Sequence, residues 1–329
     1  MINILVSFAY IQKSSPDRWR VTFEKLKQAG CKLILDSGAY TAWKSGTPID
    51  LNYYIDYVHR NGELFNTVAA LDVILDRKGT ERNLQIMLDA GLKPMPVLTE
   101  DMTLDEVPKL REVSERIAVP IRRDVRREAS GAWIEQVYRA AGGDVLIHGF
   151  SYTKGPVWRS KVATVDSTTW CNGGRFGHFG TFGLEEGCLQ QPMYRVKKWL
   201  NGPLSLAHPE LVEYMRNSRI SREDFLNPVL RRGSYSICGM ACIEAWVKFA
   251  EACEARGVEF YFALGTPADL SFLATSCAFS HPTERGLVPS WVEASTAGHA
   301  LSILCKKNYH EWLDWVVQAF HHRKKAVAV

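Results

Sequence analysis

CKLILDSG, residues 31–38, is a mostly apolar run that ends in a short polar segment. A run of this length without polar alternation predicts a β-strand that is buried on both faces, as in a parallel sheet. The preceding segment, PDRWRVTFEKLKQAG at 16–30, carries apolar residues at helical spacing and ends in glycine, which predicts a helix. Another apolar run, at 2–8, comes before that helix. The chain is therefore expected to begin with a strand, a helix and a second strand.

The same alternation of strand and helix signals continues along most of the chain. It predicts eight strands, at 2–8, 31–38, 65–74, 93–100, 116–123, 144–151, 161–168 and 258–265. Eight such units favour an α/β fold of the closed (β/α)8 type, a TIM-like barrel. The alternative, an open doubly wound sheet, would need a glycine-rich phosphate loop after the first strand, and FAYIQKSS at 8–15 is not one.

An interruption after the seventh strand indicates how the chain is organised. Residues 171–183 read CNGGRFGHFGTFG and are rich in glycine and aromatic residues, and the segment near 190–200 predicts a helix. We expect four parts, which are barrel strands one to seven at 1–170, an insertion between strands seven and eight at 171–238, the last barrel units at 239–285 and a helical C-terminal extension at 286–329.

The composition is that of an ordinary globular protein, with 46% hydrophobic and 23% charged residues among 329. No apolar run approaches the roughly 20 residues that span a bilayer, and the N-terminus lacks the basic segment and cleavage site of a signal peptide. We therefore expect a cytoplasmic protein whose eight widely spaced cysteines are free thiols. The net charge of +4 is too small to indicate a nucleic-acid partner by itself.

Three aspartates follow predicted strands at the end where a barrel carries its active site. Asp36 ends the second strand, Asp72 the third and Asp166 the seventh. Convergent carboxylates without a phosphate loop leave two chemistries open. One is double displacement at an anomeric carbon, in which one carboxylate is the nucleophile and another group moves the proton. The other is phosphoryl chemistry with Mg²⁺ held by carboxylates.

Four motifs on successive predicted strands resemble motifs of the tRNA-guanine transglycosylase superfamily. They are LDSGAY at 35–40, AALDVI at 69–74, IHGFSYTKGPVW at 147–158 and VATVDSTTW at 162–170. Together with GGRFG at 173–177, the VDSTTW string most resembles the phage and bacterial branch that inserts 7-deazaguanine bases into DNA. The resemblance covers about residues 30–180 and implies a (β/α)8 barrel that acts as a glycosyltransferase.

The resemblance also implies a role for each aspartate. Asp166 would attack C1′ of the target guanosine to form a covalent glycosyl-enzyme, and Asp36 would move the proton between the leaving and incoming bases. Asp72 would hold the guanidine-like edge of either base through two parallel hydrogen bonds. The residues implied to line the base pocket are Ser37, Gly38, Gly149 and Phe150. The expected reaction exchanges guanine in DNA for a 7-deazaguanine such as preQ0, and it requires no cofactor.

A base inside a duplex must be flipped out to reach such a pocket, so phosphate contacts are expected at the barrel mouth. The candidates for nucleic-acid binding are Arg122, Arg123, Arg126 and Arg127 after the fifth strand, and Arg175, Lys197 and Lys198 in the insertion. Basic residues of the insertion alternate with aromatic ones, a pattern that is typical of surfaces that bind single-stranded nucleic acid.

One departure from the family bears on the substrate. The tRNA enzymes carry a Cys-x-Cys-x₂-Cys and histidine zinc site, and that string is absent here. Cys238 and Cys242 are the candidate ligands of a structural zinc, although burial on an amphipathic helix accounts for them better. DNA is therefore favoured over tRNA.

Three other functions stay open at this point. They are a tRNA-guanine transglycosylase, a non-catalytic barrel subunit that binds nucleic acid beside an active partner, and a Mg²⁺-dependent hydrolase. The presence of all three aspartates argues against the non-catalytic subunit. The sequence is compatible with a homodimer or with a phage partner protein, and a phage-encoded protein would act in the host cytoplasm.

Overall fold

The computed structural model describes residues 2–14, 16–121, 130–153, 157–171, 178–183, 188–195, 237–283, 286–289 and 291–327. The chain divides into two compact units. The sheet unit contains residues 2–167 and 253–265, and the helical unit contains residues 168–252 and 266–329.

Strands and helices alternate along the described residues. The strands in chain order are β1 (Asn3–Ser7), β2 (Leu33–Asp36), β3 (Thr67–Val68), β4 (Arg116–Pro120), β5 (Leu146–Phe150), β6 (Val162–Ser167), β7 (His178–Gly183), β8 (Cys188–Arg195), β9 (Glu259–Leu264), β10 (Ser280–Thr283) and β11 (Gly286–Pro289). The helices in chain order are α1 (Phe8–Ile11), α2 (Pro16–Gln28), α3 (Ala39–Ser45), α4 (Leu51–Asn61), α5 (Arg77–Asp89), α6 (Val107–Val113), α7 (Ser130–Ala140), α8 (Ile237–Glu254), α9 (Asp269–Ala278), α10 (Trp291–Lys307) and α11 (Tyr309–Val327).

Seven parallel strands of the sheet unit form one curled sheet, in the order β3-β2-β1-β9-β6-β5-β4. They lie where seven of the eight strands were predicted. All five residues of β1 are buried. Helices cover the outer face of a parallel sheet, so its strands are buried on both faces and are recognisable as mostly apolar runs. The unit is thus a mixed α/β fold that is compatible with a TIM-like architecture.

The remaining predicted strand, the fourth in chain order at 93–100, occurs as two isolated parallel bridges. Met95 bridges Ala69, which follows β3, and Val97 bridges Ala118 in β4. Two prolines in this segment lack the N–H group that a continuous ladder requires, which explains the interruption. The segment therefore contacts both β3 and β4, the two edge strands of the sheet.

Apolar side chains fill one face of the sheet below the carboxyl ends of its strands. One buried cluster contains Leu5, Ile34, Tyr261 and Ala263, and a second contains Ala69, Met95, Val97 and Ala118. Phe150 at the end of β5 packs against both clusters. Side chains at the carboxyl ends of the strands therefore lie above an apolar surface formed by Phe150 and these two clusters, which we call the apolar floor.

The ends of the helices depend on polar residues of the loops. The Asp50 carboxylate accepts a hydrogen bond from the N–H of Tyr53 at 3.1 Å and begins α4. Asp76 accepts one from the N–H of Gly79 at 2.9 Å and begins α5. These aspartates satisfy backbone groups that a helix leaves without partners, which distinguishes them from aspartates that face a site.

The helical unit contains a buried ion-pair network that joins α8 and α11. Arg323 of α11 contacts both carboxylate oxygens of Glu244 at 3.2 Å and reaches Glu251 at 2.9 Å. Glu244 is fully buried and accepts a further hydrogen bond from the hydroxyl of Ser276 at 2.9 Å. A charged group at such a site is tolerated because it is paired and hydrogen-bonded.

The predicted helix near 190–200 is wrong over residues 190–195. These residues belong to β8, which pairs antiparallel with β7, so that Phe179 lies opposite Tyr194. Pro192 explains the difference, because a proline inside a helix removes a hydrogen bond and clashes with the preceding turn. The rest of the predicted insertion at 171–238 lies mostly outside the described residues.

The described helices were also compared with the length and hydropathy of membrane spans. Across the described ranges, no helix combines the length and the apolar character that crossing a bilayer requires.

Removing the buried arginine should destabilise the protein strongly. Arg323→Ala leaves the carboxylate of Glu244 buried without its cation, and we expect the free energy of unfolding to fall by about 3–5 kcal/mol. Urea denaturation followed by tryptophan fluorescence measures the change. Arg139→Ala is the control, because its ion pair with Glu135 is exposed and should change stability by less than about 1 kcal/mol. Equal losses in the two variants would contradict the assignment.

Candidate active site

The three aspartates singled out from the sequence lie at the same edge of the sheet. Asp36 is the last residue of β2, Asp72 follows β3, and Asp166 lies near the end of β6. Because these strands are parallel, their carboxyl ends meet at that edge. Burial, followed by the charges of Asp72 and Asp166, raises the pKa of Asp36 to about 7. The structure therefore brings the three carboxylates within electrostatic reach of one another.

A tight loop after β2 connects two of these aspartates. The N–H of Gly38 donates to Oδ2 of Asp36 at 3.1 Å, and the hydroxyl of Ser37 donates to Oδ1 of Asp72 at 3.3 Å. The N–H of Ala39 in turn donates to the hydroxyl oxygen of Ser37 at 3.3 Å. Ser37 is fully buried, so its hydroxyl fixes the position of Asp72 rather than facing solvent.

Gly38 has a backbone conformation and a packing environment that both require glycine. Its φ is 87°, in the left-handed region that side chains disfavour. A Cβ at this position would lie 2.6 Å from the Cβ of Ala9 and 2.8 Å from its backbone nitrogen. The loop can therefore turn beside β1 and present Asp36 at the edge only because residue 38 has no side chain.

The Asp72 carboxyl is held in similar surroundings. Burial raises its pKa to about 6, and the hydrogen bond from Ser37 opposes that rise. Tyr54 of α4 lies nearby, since burial and then the charges of Asp36 and Asp72 raise the pKa of its hydroxyl. This hydroxyl donates to the carbonyl of Ala69 at 2.8 Å. Tyr54 thus forms a neutral wall beside the two carboxyl groups.

Asp166 is held differently from the other two aspartates. Only 5% of it is exposed, and its Oδ1 accepts a hydrogen bond from the N–H of Ser151 at 2.9 Å. Ser151 has a φ of 54°, which is uncommon for a residue other than glycine. His148 of β5 places its Nε2 3.5 Å from the same Oδ1. Two groups from the end of β5 therefore approach one oxygen of Asp166.

The two predicted pocket residues of β5 are placed in different ways. Phe150 lies on the apolar floor and makes an edge contact with the ring of His148, with centroids 4.7 Å apart. A Cβ at Gly149 would lie 2.9 Å from the Cβ of Tyr152, so Gly149 permits the close approach of the following turn. Packing against Tyr152 is thus a structural reason for glycine at this position.

Several predicted residues lie outside the residues, or the side chains, that the structure describes. They are the predicted nucleic-acid contacts Arg122, Arg123, Arg126, Arg127, Arg175, Lys197 and Lys198, and the side chain of Cys238. Cys242 is buried in α8. Within the described part of the chain, no group of three or more histidine, cysteine or acidic side chains could hold a metal ion. The structural zinc remains a prediction.

The structure also reveals features of the site that the sequence analysis did not select. Ser151 contributes through its backbone N–H, and no residue type signals such a contact in advance. Tyr40 and Trp43 of α3, directly after the Asp36 loop, are 55% and 47% exposed, and their ring centroids lie 6.0 Å apart. The sequence did show two large aromatic residues shortly after Asp36, although it could not show that they are exposed.

No protein-family model matches this chain, and no curated protein matches it. The chemistry of the site therefore has to be argued from its residues and their geometry.

Substituting the glycine of the loop should separate backbone strain from steric clash. Gly38→Ala introduces both, whereas Gly30→Ala introduces only strain, because Gly30 has a φ of 83° but open space around a Cβ. We expect Gly30→Ala to lower the free energy of unfolding by about 1–2 kcal/mol. Gly38→Ala should cost about 1–3 kcal/mol more. Equal losses in urea denaturation would show that the contact with Ala9 is not a constraint.

The raised pKa of Asp36 predicts a specific dependence of stability on pH. Between about pH 4 and about pH 7 the folded protein retains a proton that the unfolded chain releases, so its stability falls as pH rises. Asp36→Asn removes this titration. The variant should match the wild type near pH 4 and exceed its stability increasingly up to pH 7, by at most about 1.4 kcal/mol per pH unit.

Asp56→Asn on the exposed face of α4 is the matched control for this experiment. Urea denaturation across the same pH range should give a profile for the control that is parallel to that of the wild type. A parallel profile for Asp36→Asn as well would contradict the burial of an unneutralised carboxyl group at position 36.

Proposed function

We propose that this protein is a DNA-guanine transglycosylase that exchanges guanine in DNA for a 7-deazaguanine base such as preQ0. The observation that carries the proposal is the convergence of three carboxyl groups at one edge of a parallel sheet, two of them with raised pKa values and the third hydrogen-bonded to a backbone N–H. The four motifs that resemble the transglycosylase superfamily support the same reaction.

The proposal includes a closed barrel. The segment 93–100 contacts both edge strands of the seven-stranded sheet through the bridges at Ala69 and Ala118. As an eighth strand it would complete a (β/α)8 ring in which strand order follows chain order. The carboxyl edge, with its three aspartates, is then the mouth of the barrel, where enzymes of this fold carry their active sites.

Asp36 has the properties of the group that moves the proton. A general acid or base works best when its pKa is close to the operating pH, because it must both donate and accept. The pKa of Asp36, raised to about 7, meets that condition near neutral pH. An ordinary aspartate, with a pKa near 4, would be a poor proton donor at neutral pH.

The reaction then proceeds in two displacements at one carbon. Oδ2 of Asp166 attacks C1′ of the target nucleotide, the bond from C1′ to the base nitrogen breaks, and the leaving guanine receives its proton from Asp36. Asp36 next removes the N–H proton of the incoming 7-deazaguanine. The nitrogen of that base attacks C1′ and releases the carboxylate of Asp166. The two inversions give net retention, no strand is cut and no ATP is consumed.

Asp72 is proposed to read the base. A carboxylate accepts two parallel N–H bonds from a guanidine-like edge, which both guanine and 7-deazaguanine present. The hydroxyl of Ser37 holds Oδ1 of Asp72 from below at 3.3 Å. A positively polarised base edge would also stabilise the charged form of Asp72, so substrate binding opposes the effect of burial on its pKa.

Access for DNA requires the target nucleotide to leave the duplex, at a cost of a few kcal/mol. Exposed aromatic rings such as Tyr40 and Trp43 are typical of surfaces on which unpaired bases stack. The basic residues at 122–127 and 197–198 are the proposed phosphate contacts. The proposed setting is the cytoplasm, or the host cytoplasm for a phage-encoded protein, with a homodimer or a phage partner as the candidate assemblies.

The activity can be tested by following base exchange directly. Purified protein is incubated with guanine-containing DNA and preQ0, without ATP and with EDTA, and the digested nucleosides are analysed by mass spectrometry. We expect a preQ0 deoxynucleoside from the wild type and from Asp56→Asn, and none from Asp166→Asn. Samples of the wild type and of Asp166→Asn are also quenched during turnover and denatured. DNA that stays attached to the wild type but not to the variant is a covalent adduct, because denaturation releases DNA that is only bound.

The same experiment with tRNA as the second substrate separates the alternatives. Exchange in tRNA alone would replace DNA by tRNA as the substrate. Loss of exchange with EDTA, restored by Mg²⁺, would favour metal-dependent chemistry at the carboxylates. Binding of nucleic acid without exchange in either substrate would contradict the proposed reaction and favour a non-catalytic subunit.

A further inference from the structure

His148 lies beside the proposed nucleophile Asp166 but has no role in the proposed reaction steps. It is fully buried on β5 and lies opposite Thr164 in the ladder between β5 and β6. Its Nδ1 lies 2.8 Å from the hydroxyl oxygen of Thr164. Its Nε2 lies 3.5 Å from Oδ1 of Asp166, and among the described residues it forms no hydrogen bond. A buried imidazole thus connects the sheet interior to the proposed nucleophile.

Arg116, Thr164 and His148 form a chain of hydrogen bonds. Arg116, at the start of β4, donates from its guanidinium to the hydroxyl oxygen of Thr164 at 3.2 Å, and a guanidinium can only donate. The hydroxyl of Thr164 is then free to donate to Nδ1 of His148. In that arrangement the imidazole proton is on Nε2, the nitrogen that faces Asp166. Thr164 has a second lone pair that could accept from Nδ1–H instead, so Asp166 is the group that discriminates between the two tautomers.

The opposite tautomer is disfavoured by its electrostatics. With the proton on Nδ1, the lone pair of Nε2 would point towards Oδ1 of Asp166 across 3.5 Å of buried space. Two electron-rich atoms that face each other without a proton repel, and the low dielectric of the interior strengthens the repulsion. The acceptor at Asp166 therefore favours the tautomer that carries its proton on Nε2.

We propose that His148 is a positioning residue for Asp166, whose carboxylate favours the Nε2–H tautomer of the imidazole. Its N–H and the N–H of Ser151 converge on Oδ1, so that Oδ2 is the oxygen presented to C1′. This inference rests on the proposed transglycosylase function. In the second displacement the carboxylate of Asp166 is released again, and the two donors on Oδ1 stabilise the negative charge that returns to it.

The tautomer can be measured without any enzymatic reaction. In protein labelled with ¹⁵N-histidine, the two ring nitrogens have distinct chemical shifts, and the spectrum of His148→Gln identifies the signal of residue 148. We expect the Nε2–H tautomer in the wild type and a loss of that preference in Asp166→Ala, which removes the acceptor. An Nδ1–H tautomer in the wild type would overturn the proposal, whether or not the protein exchanges bases.

The kinetic role is tested with two substitutions at the same position. His148→Phe keeps the ring shape but removes the donor, and kcat should fall by about 100-fold with little change in KM, as for the loss of one preorganised donor. His148→Gln can still donate to Asp166 and accept from Thr164, so it should recover most of kcat. His59→Gln, an exposed histidine of α4, is the matched control and should behave as the wild type.

The outcomes separate this proposal from the proposed function. An inactive wild type would contradict the transglycosylase, while the tautomer measurement would still decide the arrangement of His148. An active wild type in which His148→Phe retains its kcat would overturn the positioning role alone. Equal loss of kcat in the Phe and Gln variants, with circular dichroism showing both folded, would also overturn it, because the donor would then not be the feature that matters.

Discussion

Three carboxyl groups share one poorly solvated edge of the sheet, and the free energy of charging them together constrains the rest of the site. Burial disfavours the charged forms of Asp36 and Asp72, and the charges of Asp72 and Asp166 further disfavour the charged form of Asp36. The conflict is resolved unequally, because Asp36 has a pKa raised to about 7 and Asp72 one raised to about 6. Asp166 receives a backbone N–H at 2.9 Å and the approach of His148. Different local donors thus give three identical side chains three different environments.

The sheet determines where this conflict can occur. Its strands are apolar on both faces, so polar side chains collect at the carboxyl ends, above the floor formed by Phe150. The loop after β2 can bring Asp36 to that edge only because Gly38 turns with a φ of 87° beside Ala9. The positive φ of Ser151 likewise allows its backbone N–H to reach Oδ1 of Asp166. At Gly38 the absence of a side chain avoids backbone strain, whereas the strain at Ser151 is offset by the packing around it.

The sequence predicted the sheet better than it predicted the details of the site. Mostly apolar runs indicate buried parallel strands, and seven of the eight predicted strands occur where expected. The prolines of 93–100 reduce the remaining strand to two bridges. Placement of Asp36, Asp72 and Asp166 at one edge followed from the same pattern. The partners of His148 did not, because they depend on the register between β5 and β6 and on the reach of Arg116 from β4. The predicted helix near 190–200 is wrong over 190–195, because Pro192 disfavours a helix and these residues pair with β7.

The helical unit shows how the same chain buries a carboxylate that has only a structural role. Glu244 is fully buried, and Arg323 contacts both of its oxygens, so its charge is neutralised within the fold. Among the described residues, no lysine or arginine forms an ion pair with Asp36 or Asp72. A buried carboxyl group without a cation responds with a raised pKa, and perturbed pKa values cluster at functional sites. The contrast between these carboxylates is the physical basis for proposing the edge of the sheet as a catalytic site.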